Sequence, residues 1–294
     1  MRSVDALTFL LLASLWGGSF LFMRVAAPEF GPFALMLIRC SIGALVLLPV
    51  CLWRGKGQAL LRAARPIGLV GVINSALPFA LFGYAALSVP SGMIAVLNST
   101  APFFGAIIAF VWLRERLAPW QVAGMTIGFA GVIVLVAGGG QIEQVGGGSL
   151  LTGVLAALLA ACFYGLAASF MRRYLAGVNS LAGATGSQLS ASAVLLVPGL
   201  LFWPAEMPGL TAWLAVVMLG VFSTGLAYLL YFRLIDSLGP ARAMTVTFAI
   251  PVFGIFWGAV LLDESVTAMM LAGAVLVVAG CALTVGVWPR KRRG

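Results

Sequence analysis

Apolar residues run through the chain in blocks of about twenty, broken by short stretches of Gly, Pro and charge. Nowhere do polar and apolar positions alternate with the period of two expected of membrane-spanning barrel strands. A bilayer core about 30 Å thick takes roughly 20 apolar residues per helix. The blocks therefore predict ten spanning helices, near residues 5–24, 31–52, 66–87, 91–112, 118–138, 149–172, 178–203, 210–235, 239–262 and 266–288. The links between them are short and hold no water-soluble domain.

Composition names the solvent. Hydrophobic residues make up 62% of the 294 and charged ones 9%, against about half and about a quarter in soluble domains. So much apolar surface belongs in lipid. Histidine is absent, which removes Ser/His/Asp and Cys/His catalysis, histidine metal ligation and histidine proton relays. Cys40, Cys51, Cys162 and Cys281 lie within or beside apolar runs without metal-ligand spacing and read as small packing residues. No metal or cofactor is expected, and the lack of a Walker motif argues against ATP-driven pumping by this chain alone.

Charge orients the spans. With the N-terminus inside, fifteen of the seventeen Lys and Arg residues fall on the cytoplasmic side: Arg2, Arg54, Lys56, Arg62, Arg65, Arg114, Arg116, Arg172, Arg173, Arg233, Arg242 and the tail Arg290, Lys291, Arg292, Arg293. Only Arg24 ends up outside, and Arg39 lies within a span. The outer links carry Glu29, Glu143, Glu206, Asp263 and Glu264. This is the positive-inside pattern, and it reads the net charge of +9 as topology and headgroup contact rather than nucleic-acid binding. Both termini are then cytoplasmic.

The chain also repeats itself. At an offset of 149, Pro102, Phe104, Gly105, Val111, Leu113 and Glu115 meet Pro251, Phe253, Gly254, Val260, Leu262 and Glu264. Further on, Gly124 meets Gly273 and Ala130-Gly131 meets Ala279-Gly280. At an offset of 148, Trp16-Gly17 and Met23-Arg24 meet Tyr164-Gly165 and Met171-Arg172. The first span thus takes part in the repeat, so it is expected to remain in the protein although Val25-Ala26-Ala27 has some likeness to a processing site. The copies cover residues 1–140 (spans one to five) and 149–294 (spans six to ten). Five is odd, so the second copy enters the membrane from the opposite side. The expected fold is an all-α membrane protein of ten transmembrane helices in two inverted five-helix repeats, with a pseudo-two-fold axis in the membrane plane. Such a fold has two near-equivalent forms, one open to each side. Pro102 and Pro251, near the middle of the fourth and ninth spans, are expected to kink them, either to open a midplane cavity or as plain structural bends.

The duplicated Pro102-Phe-Phe-Gly105, Leu113-Arg-Glu115 and Gly124, with Pro251-Val-Phe-Gly254, Leu262-Asp-Glu264 and Gly273, resemble the EamA-type domain of the drug/metabolite transporter superfamily. Leu15-Trp-Gly-Gly-Ser19 and Leu37-Ile-Arg39 also resemble family positions. The likeness covers essentially the whole chain. It implies a transporter, similar to members that export amino acids, aromatic ones among them, and other small metabolites or toxic compounds. It also implies a cavity among spans one, three, four, six, eight and nine, with five and ten peripheral.

On those helices the polar candidates for substrate contact are Ser19, Asn74, Asn98, Ser99, Thr100, Ser223, Thr224 and Thr245, since polar groups facing lipid are costly. Their alternative role is hydrogen bonding between helices. The aromatic candidates are Trp16, Phe20, Phe79, Tyr84, Tyr164, Tyr228 and Phe248, suited to a substrate with a ring or apolar body or to plain packing. Arg39 is a charge at membrane depth with no carboxylate level with it. Two roles stay open to it: a substrate carboxylate, or backbone carbonyls in a structural site, the latter favoured because the resemblance puts span two off the cavity. With no Asp, Glu or His at mid-depth, facilitated export fits better than tight proton exchange. The expectation is a carrier in a bacterial-type inner membrane, monomer or weak dimer, whose partners are lipid and a small-molecule substrate. Cationic drugs, sugars or nucleosides are the alternative cargo. An enzyme lacks its paired groups at membrane depth, and a channel would draw its pore from oligomer symmetry.

Overall fold

The computed structural model describes residues 3–138 and 149–286. Arg2, the 139–148 link with Glu143, and the segment 287–294 with Trp288 and the basic tail lie outside the described residues. Every regular element among the described residues is helical. Eight helices have the length and apolar composition of a membrane span, and Ile250–Leu262 is a shorter apolar helix.

The first of the eight, Ser3–Trp53, is two spans. Its 51 residues would reach about 77 Å at 1.5 Å per residue, more than twice the bilayer core. Gly31 breaks it, with φ 69° and ψ 162°, between Pro28 and Pro32. A positive φ of this kind suits glycine, and Pro32 starts the next helix with its φ already set. The arms 3–30 and 32–53 fold back on each other: the Arg39 guanidinium lies 3.7 Å from the Met23 sulfur, a separation of about 24 Å in a straight helix. The third to eighth spans follow as Ala64–Ala85, Ser91–Leu113, Pro119–Gly138, Leu150–Tyr174, Ser180–Leu201 and Leu210–Leu238. The ninth is assembled from Pro240–Ala243, a 3₁₀ stretch Met244–Phe248 and Ile250–Leu262, and the tenth is Ala268–Val285.

Two irregularities recur at the repeat interval. The third span widens to a π-helix over Val72–Ala76 and the eighth over Val221–Leu226. In the third the cause is Pro78, which lacks an N–H and whose ring would strike the Asn74 carbonyl. The eighth has Ala227 at the matching place; there the Thr224 hydroxyl donates to the Leu219 carbonyl five residues back, at 3.1 Å. The expected kinks at Pro102 and Pro251 are instead restarts. The fourth span halts at Ser99-Thr100 and resumes at Ala101, and the ninth resumes at Ile250, each with its proline in the first turn. A proline there gives up a hydrogen bond that the first turn lacks anyway.

In lipid the hydrophobic effect does not press one helix on another, so packing depends on close backbone approach. Glycine provides it, in pairs related by the repeat. A Cβ on Gly17 would sit 2.9 Å from the Gly254 nitrogen, where spans one and nine cross. A Cβ on Gly165 would sit 2.5 Å from the Gly105 nitrogen, where spans six and four cross. Gly71 lies against Ser190 (spans three and seven), and Gly220 against Ile42 (eight and two), each leaving only 2.6 Å for a Cβ. Gly124 meets the Gly280 carbonyl and Gly131 the Gly273 carbonyl between spans five and ten. Since Ser91 and Glu264 touch at one end of the bundle, spans four and nine are antiparallel. Glu115, the repeat partner of Glu264, lies at the other end of span four.

Gly165→Val is expected to force the Gly105 backbone away and to cost about 1–3 kcal/mol. The thermal midpoint in detergent should fall by several degrees, whereas Gly183→Ala, with nothing within 4 Å, should leave it within about a degree.

Candidate functional site

The polar centre of the bundle lies where spans two and seven meet the two π-helical turns. Arg39, 6% exposed, donates from Nε to the Thr224 Oγ1 at 3.1 Å. Its Nη1 faces the Met23 and Met36 sulfurs at 3.7 and 4.0 Å. Its guanidinium carbon stands 3.8 Å over the Phe79 ring, a cation–π contact. Across the pseudo-axis, Gln188 Nε2 donates to Ser75 Oγ at 3.2 Å, and Ser75 Oγ also lies 2.9 Å from Ser187 Oγ. Adding 149 to Arg39 gives Gln188, and adding it to Ser75 gives Thr224. The two contacts are one contact made twice, with a cation in one copy and a neutral amide in the other. Their neighbours Asn74 and Ser223 correspond in the same way, as do Phe79 and Tyr228.

Of the sequence candidates, the structure gathers Phe79, Ser223 and Thr224 here, with Tyr164 and Tyr228 within electrostatic reach of Arg39 and Tyr228 also against Gln188 and Asn74; the Ser223 Oγ is buried without a hydrogen-bond partner. Asn74 lies in the π-turn of span three. Trp16 sits 5.2 Å from the Tyr231 ring, Phe20 5.6 Å from Phe82, Tyr164 5.8 Å from Phe82 and Tyr228 6.0 Å from Phe232. Ser19, Ser99, Thr100 and Thr245 each bond a carbonyl of their own helix three or four residues back. Asn98 Oδ1 is buried and unpartnered. Phe248 packs beside Phe103, Met125 and Cys281, between spans four, five and ten. Tyr84 is 41% exposed, 3.4 Å from the Thr152 hydroxyl and apart from the polar centre. Arg39 bonds no backbone carbonyl among the described residues; its contacts join span two to spans one, three and eight. Gln188 was the residue missed as a site member, although the offset that pairs it with Arg39 was readable.

The two ends of the bundle differ. At one end, Glu264 of the span nine–ten link accepts hydrogen bonds from Ser91 N at 2.8 Å, Ser91 Oγ at 2.9 Å and Gly92 N at 3.3 Å. It caps the start of span four, where a carboxylate meets free N–H groups and the positive end of the helix dipole. Beside it, Arg24 donates to the Ala86 carbonyl at 2.7 Å, gripping the end of span three. At the opposite end the repeat partners Glu115 and Arg172 pair with each other on the surface. Neither holds span eight or nine; at this end a groove of about 490 Å³ lies between Arg54, which follows span two, and Leu229, Leu230, Arg233, Asp236 and Ser237 of span eight. One end is latched and the other is not.

Comparison with known proteins agrees with this architecture. The model of the EamA-like transporter family matches residues 5–137 and 151–286. The chain is 28% identical over 288 residues to the uncharacterized transporter YvbV of Bacillus subtilis, covering 96% of this chain and 92% of that protein. It is 27% identical over 284 residues to the uncharacterized inner membrane transporter YedA of Escherichia coli, covering 94% and 90%. A shorter match, 29% over 201 residues, covers 67% of this chain and 68% of the aromatic amino acid exporter YddG of Ancylobacter novellus. A crystal structure at 25% identity superposes with a TM-score of 0.66 over 96% of both chains. The duplicated glycine crossings, the two π-turns and a family match across both halves lead to one conclusion: this chain is a multi-pass membrane protein of the EamA-like transporter family.

Proposed function

We propose that the protein is an alternating-access exporter of the bacterial inner membrane, carrying amino acids, aromatic or other apolar ones among them, from the cytoplasm. The observation that carries this reading is the contrast between the two ends. A pair of halves with equivalent glycine crossings at Gly17/Gly165 and Gly71/Gly220 differs where a carrier's gates must differ. The positive-inside charge pattern puts the latched Glu264 end outside and the cleft end inside, the side from which an exporter loads. Within the protein, the aromatic side chains near the polar centre suit cargo with a ring or apolar body. The likeness to an aromatic amino acid exporter supports the same cargo.

The exchange of ends follows from the repeat. Opening outward requires Glu264 to leave Ser91 and Arg24 to leave Ala86. Closing inward requires Glu115 and Arg172 to part and take hold of spans nine and eight. The two seats are not equal. Gly258 leaves room beneath Glu264 and Ser91, where a Cβ would lie 2.5 Å from the Ser91 oxygen; the corresponding places at the other end hold Ala109 and Pro240. A seat with a methyl group and without the hydroxyl binds its carboxylate less well. The resting form is therefore biased toward the cytoplasm.

In proteoliposomes preloaded with phenylalanine, leucine or tryptophan, labelled phenylalanine should accumulate by saturable counterflow. Absence of exchange with every amino acid tried, in folded protein, refutes the amino-acid cargo. Glu264→Gln removes charge-assisted hydrogen bonds worth about 2 kcal/mol. A cysteine at Met93, fully buried beneath the latch, should then react with a water-soluble maleimide at least ~10-fold faster in that variant; an unchanged rate refutes the latch.

A further inference from the structure

The Arg39 guanidinium is a buried cation with no buried anion. The eight acidic residues are Asp5, Glu29, Glu115, Glu143, Glu206, Asp236, Asp263 and Glu264, all at helix ends or in links. The ion pair among the described residues, Arg172 with Glu115, is at the surface. Arg39 touches the Thr224 hydroxyl, two thioethers and the Phe79 ring face, with the Tyr164 and Tyr228 hydroxyls and the Cys40 thiol also within electrostatic reach. These hold a guanidinium flat and in place but do not neutralise it. Among the described residues its Nη2 makes no hydrogen bond, although a guanidinium offers a forked pair of donors that matches a carboxylate. A buried charge left unpaired costs several kcal/mol, and a structural tie between helices would need only the neutral amide that Gln188 supplies in the other half.

Gln188 completes the arrangement. It is fully buried, its Nε2 donates to Ser75, its amide also faces the Tyr228 hydroxyl, and its Oε1 accepts no hydrogen bond. That oxygen and the Thr224 methyl both abut Gly43, one turn along the helix from Arg39; a Cβ on Gly43 would lie 3.6 Å from the first and 2.6 Å from the second. The unpartnered Ser223 Oγ is next to Thr224 in the same π-turn. One side of the pseudo-axis therefore offers free cationic donors, and the other a free acceptor.

We infer that Arg39 binds the carboxylate of the cargo and Gln188 Oε1 its ammonium, so that the site selects α-amino acids and rejects the matching amines and amides. This deepens the export reading and rests on it. The glycine at position 43 lets span two approach Thr224 and Gln188 closely, since a Cβ there would lie 2.6 Å from the Thr224 methyl. The pseudo-symmetry also gives a direction to the bound molecule, because only the span two half carries charge.

Two measurements on the purified full chain test this. In ligand-free detergent solution, Arg39→Met should keep or raise the thermal midpoint, because it removes an unpaired buried charge. A fall of many degrees assigns a structural tie and overturns the inference. In counterflow, unlabelled phenylalanine should compete with labelled phenylalanine, and phenethylamine and phenylalaninamide should compete roughly 10- to 100-fold less well. Arg39→Gln should erase that preference, and Gln188→Leu should weaken phenylalanine while leaving 3-phenylpropionate, which lacks the ammonium, unaffected. Exchange of amines with equal or better efficiency than amino acids overturns the inference and leaves the carrier standing. Absence of exchange for every solute, with Arg39→Met no less stable, sinks the carrier reading instead.

Discussion

Every feature of this protein depends on how closely its helices approach one another. In lipid no hydrophobic force drives one apolar helix against the next, so backbones must come near enough for dispersion and weak polar contacts to hold them. Here that nearness comes from glycine: a Cβ on Gly17 or Gly165 would stand within 3 Å of the backbone nitrogen of Gly254 or Gly105. The crossings come in equivalent pairs, so the two halves present nearly equal surfaces to each other.

The ends then decide the state. Hydrogen bonds from Ser91 and Gly92 to the Glu264 carboxylate, with Arg24 on the Ala86 carbonyl, join spans one, three, four and nine at one end. Arg172 and Glu115, their repeat partners at the other end, pair with each other at the surface and hold neither span eight nor span nine. Exposed ion pairs contribute little, so that pair is easily surrendered.

Much of this was legible in the sequence because the duplication kept its register. The apolar blocks set the span count, and the glycine and glutamate matches set the inversion and the equivalent ends. What escaped came from contacts that no spacing encodes. The π-turn at Val221–Leu226 has no proline to announce it; it answers to the Thr224 hydroxyl, which must meet both Leu219 and Arg39. Pro102 and Pro251 looked like kinks because their spans are continuous in hydropathy, yet each restarts a helix. Spans two and seven were set aside by resemblance, and that hid the pairing of Arg39 with Gln188. Tyr84 was counted with the cavity on helix membership alone, whereas it faces outward at a helix end.

The central claim is that the two ends open in opposition. Spin labels at positions 87 and 266 report the latched end, and labels at 116 and 236 the cleft end. Both distances should be measured in the same lipid nanodiscs with and without phenylalanine. The account predicts that any population lengthening the first distance shortens the second. Distances that lengthen together, or a latched end that never opens in a protein still able to exchange substrate, would contradict it.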